Sequence, residues 1–501
     1  MVRLATQQPS SPRGTASEDS PEEQIPRDGY EVSFAVRISY GIGEVAITSS
    51  MILFGLFVLF FYNSVMELPG TLVGIGSALG LVWDAMVDPY IGHRSDRLSH
   101  WMGRRHLFML IGSLTMGISF WLLLSPPVGL GTLTLFLWLL GTTFLFRTTS
   151  ALFRIPYLSL GAELTSDYHE RTRIVGYRSF FGLIGTLGGA TLSFVLFFPD
   201  TGSPGVDPKL NYQGYPTMGL AFGLVMTVTG LVSVIGTWNH RYCSPTVASM
   251  VKSGARNFIQ GFLLALKNPP FRKVWFSFSL FFLAVVMTSV TSIHFYNWFV
   301  EVRESETISR LQMVLYLGAL VGVPLWVWIA RYFEKSRLYL VSIGGTIVLL
   351  ICATFLFGEG SFFGTGNATP LLIGNFVAGM FVSAVWILPG SMLADIGDLD
   401  ELETGFRREG LFFGILNFGE KMAAGFSILL GGILLDYFVG LVPGQLEQAL
   451  VARSRVGLIY GLVPAFLLLI SALSLRGYSL DRGRLKSIQA TLRQRRLEPE
   501  R

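Results

Sequence analysis

Two aspartates inside an apolar stretch are the first residues of this chain with chemistry to explain. Trp83-Asp84-Ala85-Met86-Val87-Asp88-Pro89 spaces its carboxylates at i and i+4, which puts both on one face of a helix. A charge at the centre of a bilayer costs roughly 2.5–3.5 kcal/mol even on the mildest insertion scales. Two such carboxylates ionise together only against a cation, a basic partner or a proton. The plain alternative is that one of them, Asp88 sooner than Asp84, only pairs with an arginine to tie helices together.

Basic residues occur at comparable depth. Arg147 and Arg154 lie seven residues apart on one face of another apolar stretch. At the helical rise, Arg154 sits roughly 10 Å and Asp84 roughly 12 Å above the same end of their helices, so the two are expected to come within reach. Arg178 lies about one turn inside its stretch, and Glu420 and Lys421 lie near mid-depth of theirs. Glu44 completes the set, with the alternative reading of a polar residue facing a wet cavity. Paired guanidiniums suit a carboxylate or phosphate, which they bind in bidentate fashion. Against that stands the simpler reading that Arg154 neutralises Asp84 or Asp88.

The elements that carry these residues follow from composition. The 501 residues are 51% hydrophobic and 14% charged, with a mean hydropathy of +0.53, where soluble chains carry about 25% charged residues. A spanning helix needs about 20 apolar residues. Twelve such stretches run near 38–63, 69–92, 106–125, 131–161, 174–198, 217–238, 273–299, 308–330, 337–357, 369–394, 410–436 and 456–476. The polar connector 239–272 divides them six and six, giving bundles over 37–238 and 273–476 between a disordered tail (1–36) and a basic tail (477–501). The fold class expected is therefore all-α integral membrane, with two six-helix bundles.

With both termini inside, 29 of the 38 Lys and Arg residues fall on the cytoplasmic side, five outside and four within spans. The positive-inside rule supports that orientation, and in a bacterium the location would be the inner membrane. The net charge of +5 reflects this asymmetry rather than nucleic-acid binding. Arg256–Lys267 and Asp481–Arg496 read as amphipathic surface helices expected to meet lipid headgroups. Cys243 and Cys352 suggest neither a disulfide nor a redox or metal role. Of six histidines only His294 lies well inside a span; no nucleophile–base or metal set is visible, so an enzyme is not expected. A channel lacks a pore motif here, and a non-transporting sensor is the remaining alternative class.

The loop after the second stretch, Gly92-His93-Arg94-Ser95-Asp96-Arg97 followed by Gly103-Arg104-Arg105, has a weak echo at Ala330-Arg331-Tyr332-Phe333-Glu334-Lys335. Four ordered strings then become recognisable: Trp83 through Asp88 to Asp96-Arg97; Arg154-Ile155-Pro156 through Glu170 and Arg173 to Tyr177-Arg178; Met392 through Asp395 and Asp398 to Gly405 and Arg407-Arg408-Glu409-Gly410; and Lys421, twelve residues after Glu409. From about Tyr40 to Asp436 the chain resembles the glycoside–pentoside–hexuronide:cation symporters of the major facilitator superfamily, typified by melibiose permease, a group that includes the animal sodium-dependent lysolipid symporters.

The resemblance implies alternating access about a site between the bundles. Asp84 and Asp88 match the cation-site carboxylates, Arg178 a sugar-contacting arginine, and Lys421 a lysine near both sites. Asp96, Arg97, Arg104, Arg105 and Asp395 are expected to gate the cytoplasmic side. The departures matter. Val87 and Ala151 stand where two sodium-ligating oxygens are usual, which favours a proton at Asp84 and Asp88, with sodium the alternative. Arg154, Thr48 and Leu158 replace two sugar-binding aspartates and a stacking tryptophan. A neutral galactoside would lose its partners, so an anionic sugar derivative held by Arg154, Arg178 and Arg147, with Thr48 and Glu44 nearby, is expected. A lysolipid or other amphiphile is the alternative. No cofactor is expected; the partners are a small solute and the bilayer, with a monomer sufficient.

Overall fold

The computed structural model describes residues 32–98, 100–165, 167–200, 207–240, 255–405, 408–442, 445 and 447–497. Among the described residues, twelve helices are long and apolar enough to cross a membrane. In chain order the helices are α1 (Phe34–Phe60), α2 (Gly70–Arg97), α3 (His106–Leu123), α4 (Thr132–Glu163), α5 (Tyr168–Phe197), α6 (Gly214–Gly236), α7 (Ala255–Leu266), α8 (Pro269–His294), α9 (Ser305–Ile329), α10 (Lys335–Phe355), α11 (Ala368–Val382), α12 (Ala384–Thr404), α13 (Glu409–Ile433), α14 (Leu450–Ser474) and α15 (Arg482–Leu497). The tenth span, expected as one helix, is broken at Ser383 into α11 and α12. Most of the N-terminal tail and Cys243 lie outside the described residues.

Each packing in the first half recurs in the second. α1 lies against α5 and α6, α2 against α4, and α3 against α4 and α6. Correspondingly α8 lies against α13 and α14, α9 against α11, and α10 against α11 and α14. The halves meet through α2 and α13, α5 and α9, and α1 and α8, the arrangement a pseudo-twofold axis produces. An internal repeat accompanies it. α1 and α8 both end in π-helical turns, Phe61–Val65 and Phe295–Phe299, that begin Phe-Tyr-Asn. Both are followed by a glutamate at positive φ, Glu67 at 57° and Glu301 at 61°. The signal was in the sequence and outweighs the loop echo, which rests on charge alone.

One face, here called the connector face, carries α7 and α15; the opposite face is here called the far face. On the far face the halves are sealed. Asp436 accepts hydrogen bonds from the Gly70 and Thr71 amides at the start of α2, at 2.8 and 2.7 Å. Asn297 donates to Asp207 at 2.7 Å, and Lys209 Nζ to the Arg303 carbonyl at 2.5 Å. A Cβ on Gly432 would collide with the Gly70 carbonyl, so glycine is what lets α13 and α2 cross here. Aromatic packing continues the seal, with Phe60 against His294 and Trp298.

On the connector face α15 differs from expectation. Its apolar residues Ile488 and Leu492 are buried on the protein, Gln489 donates to Asp398 at 2.9 Å, and Arg482 donates to carbonyls at the end of α9. Its apolar face therefore covers α12 rather than lipid, while Arg484, Lys486 and Arg493 point outward.

Candidate functional site

α2 and α4 cross where the aspartates lie. Trp83 fixes the contact: its indole donates to Thr148 Oγ1 at 2.8 Å and stacks on Phe144 at 4.9 Å. That register aims Asp84 at Arg147, and Nη1 donates to Asp84 Oδ2 at 2.5 Å. The sequence placed Arg154 within reach of Asp84; the partner is instead Arg147, two turns nearer the far face. Asp88 accepts from Lys421 of α13 and forms an ion pair between the halves. The plain alternative weighed chiefly for Asp88, pairing with an arginine, is met by Asp84, while Asp88 bridges the bundles.

Both pairs open onto a cavity of about 800 Å³. Its polar end is lined by Asp84, Asp88, Arg147, Arg154, Glu420 and Lys421, with Thr48 and Asn417 beside them. Among the described residues Arg154 makes no direct ion pair; its guanidinium faces the cavity, where its charge acts on Glu420 of α13. The cavity continues into the second half between α8, α9, α10, α11 and α14. There its walls are chiefly aromatic and aliphatic, among them Phe282, Tyr296, Tyr316, Phe357, Phe363 and Leu371. α11 packs on α9, and most of its residues are half-buried, with Leu371 and Gly379 fully so.

Arg178 and Glu44, expected at the substrate, stand apart from the cavity wall. They pair with each other at 3.8 Å, linking α5 to α1, beside the stacked rings of Tyr40 and Tyr157. Thr48 lines the cavity but its hydroxyl donates to the Glu44 carbonyl at 3.0 Å, satisfying itself within α1. The gating residues pair within their own halves in this conformation. Arg105 bridges Asp96 at 3.0 Å and Glu163 at 2.5 Å, and Arg104 joins Glu163 at 2.8 Å. Lys335 pairs with Asp395 at 2.6 Å in the second half. Arg97 is exposed in the last turn of α2. Sequence reasoning missed Glu163, which collects both arginines; an acid just past the fourth span was the available signal.

A sequence model of the family described as MFS/sugar transport protein matches residues 39–482. The chain belongs to that family. Among relatives of this family member, an uncharacterized symporter of Synechocystis is 25% identical, covering 83% of this chain and 88% of its own. The sodium-dependent lysophosphatidylcholine symporter 1 of Xenopus tropicalis is 22% identical, covering 96% and 93%. A solved bacterial homologue of the human lysosomal transporter Spinster shares the fold, with a TM-score of 0.64 at 14% identity over 93% of this chain and 98% of that one. The family member described here is thus an integral membrane protein of the major facilitator fold and a transporter in type.

Proposed function

We propose that this symporter carries an amphiphile with an anionic headgroup and a single apolar chain, coupled to protons, and that the conformation described faces the cytoplasm. The observation that carries the reading is the cavity itself: its charged end at Arg154 is continuous with an apolar chamber inside the second half. Arg154 supplies a guanidinium for a phosphate or carboxylate, and the chamber is walled chiefly by apolar side chains, with Gln312, Thr346 and Asn375 among its fewer polar ones. The positive-inside orientation puts the connector face in the cytoplasm, and the hydrogen-bonded far face closes the opposite entrance. A relative that moves a lysolipid by name makes the same chemistry reasonable in this fold.

Coupling follows from the ion pairs. Asp88–Lys421 joins bundles that separate as access alternates, so it must break in each cycle. A proton on Asp88 removes the attraction and frees Lys421; Asp84–Arg147 lies within one half and moves as a unit. An anionic sugar acid is the second reading, favoured by the charged end and the family's description.

Binding to the purified protein across a chain-length series with one anionic headgroup decides between them. Each methylene buried in the chamber contributes about 0.8 kcal/mol, roughly fourfold in affinity. Affinity should climb with chain length until the chamber is full, and Arg154→Gln should weaken every member alike. Equal binding of a chain-free uronide would overturn the amphiphile reading. Asp88→Asn should leave exchange intact and abolish accumulation driven by a pH gradient.

A further inference from the structure

We infer that Arg147 is a tethered cation that occupies the place a metal ion would take at Asp84, and that it sets this carrier's ion specificity against sodium. The inference rests on the reading of Asp84 and Asp88 as the coupling site. The symporter from Xenopus tropicalis is sodium-dependent by name, so proton coupling in this chain calls for a difference at these carboxylates.

Arg147 is built into its position from three sides. Its Nη1 donates to Asp84 Oδ2 at 2.5 Å. Its guanidinium lies over the Phe54 ring at 5.4 Å from the centroid, where the ring's negative face favours a cation. Its stem runs across Gly80, where a Cβ would stand 2.6 Å from Nε and 2.9 Å from Cδ. Glycine at position 80 is therefore what lets the arginine lie flat on α2. Nε is buried and has no hydrogen-bond partner among the described residues, a cost that the contacts to Asp84 and Phe54 must offset.

This arrangement excludes a mobile hard cation. Sodium at Asp84 would have to displace a guanidinium whose stem is trapped between Gly80 and Phe54. The displaced charge would remain beside the ion at close range. α2 and α4 belong to one half, so no step of alternating access separates the pair. The remaining carboxylate, Asp88, faces Lys421, with Glu420 of α13, Arg154 and Arg147 of α4 and Asp84 of its own helix lining the same cavity. Lys421 already occupies Asp88, and the three acids and three bases of this end balance, so a metal cation finds no uncompensated negative charge there, whereas a proton needs only the carboxylate oxygen.

Thermal unfolding of the purified full-length protein in sodium chloride against choline chloride, with radioactive sodium binding alongside, tests this without any substrate. Wild type should show no sodium-specific stabilisation. Arg147→Ala should gain saturable sodium binding and a sodium-dependent rise in Tm, and a further Asp84→Asn should remove both. Arg147→Lys, which keeps a tethered cation, should stay unresponsive. Should Arg147→Ala not fold, Arg147→Gln replaces it, because it keeps most of the stem that lies across Gly80 while removing the charge; a gain of sodium binding is again expected. Saturable sodium binding to wild type overturns the inference, as does a folded Arg147→Ala or Arg147→Gln protein that binds none. Failure of the symport reading is distinguishable, since it would show as absent uptake while the sodium responses persist.

Discussion

Replacing Asp436 by alanine should unlock the far face. Its carboxylate caps the first turn of α2 from the other half, accepting the Gly70 and Thr71 amides at 2.8 and 2.7 Å. Those amides are among the donors a helix start leaves without internal partners. Loss of a side-chain cap costs about 0.5–2 kcal/mol, and loss of an anion at the positive end of a helix a further 0.3–1 kcal/mol or so. Together these amount to about 2 kcal/mol. The loss falls only on the conformation in which the far face is shut, because alternating access separates α2 from α13. Since about 1.4 kcal/mol is tenfold, the ratio of far-face-open to far-face-closed molecules should rise roughly 30-fold. Nitroxide labels at Glu67 and Tyr437, both exposed on that face and in different halves, would read it by pulsed electron resonance once Cys243 and Cys352 are replaced. The wild-type distance distribution should be dominated by a short component, and Asp436→Ala should populate a long one. Asp436→Asn, which keeps an acceptor oxygen but no charge, should fall between. An unchanged distribution in a correctly folded Asp436→Ala protein would refute the assignment of this contact as the latch.

Further outcomes follow from the same face. Lys209 is fully buried and pairs with Asp207 at 2.7 Å, so Lys209→Met leaves an unpaired buried carboxylate and should cost about 3–5 kcal/mol, read as a Tm drop of several degrees that a further Asp207→Asn largely restores. Burial holds the Lys209 ammonium below the usual lysine range, against the pull of Asp207. The unfolded chain then binds the extra proton, so stability should rise with pH between the depressed folded value and the ordinary lysine value, and Lys209→Met should remove that rise. Glu67 is exposed at positive φ, so Glu67→Gly should raise Tm slightly or leave it unchanged; Glu301→Gly should lower it, because Glu301 also pairs with Arg453.

The ionisable residues themselves and their setting in twelve apolar spans were legible because each rests on local arithmetic. Twenty apolar residues in a row make a span whatever surrounds them, and a carboxylate inside one demands a partner. The Phe-Tyr-Asn repeat at 61–63 and 295–297 was equally readable and went unread, since three aromatic and polar residues carry little weight until the structure shows both as π-helical turns.

The choice of partners was not legible. Arg147 and Arg154 share a helix face and differ by seven residues, about 10.5 Å along the axis. Span ends read from sequence err by three residues or so, about 4.5 Å on each of two helices. That uncertainty nearly equals the separation, so helical periodicity could name two candidates for Asp84 without deciding between them. The decision came from the seating of Trp83 on Phe144 and Thr148, a contact between segments sixty residues apart. The shape of the cavity was decided in the same way: which aromatic residues face an empty chamber and which face lipid depends on how α9, α10 and α11 rotate against one another. Apolar residues on both sides of a membrane helix leave no amphipathic stripe from which to read that rotation.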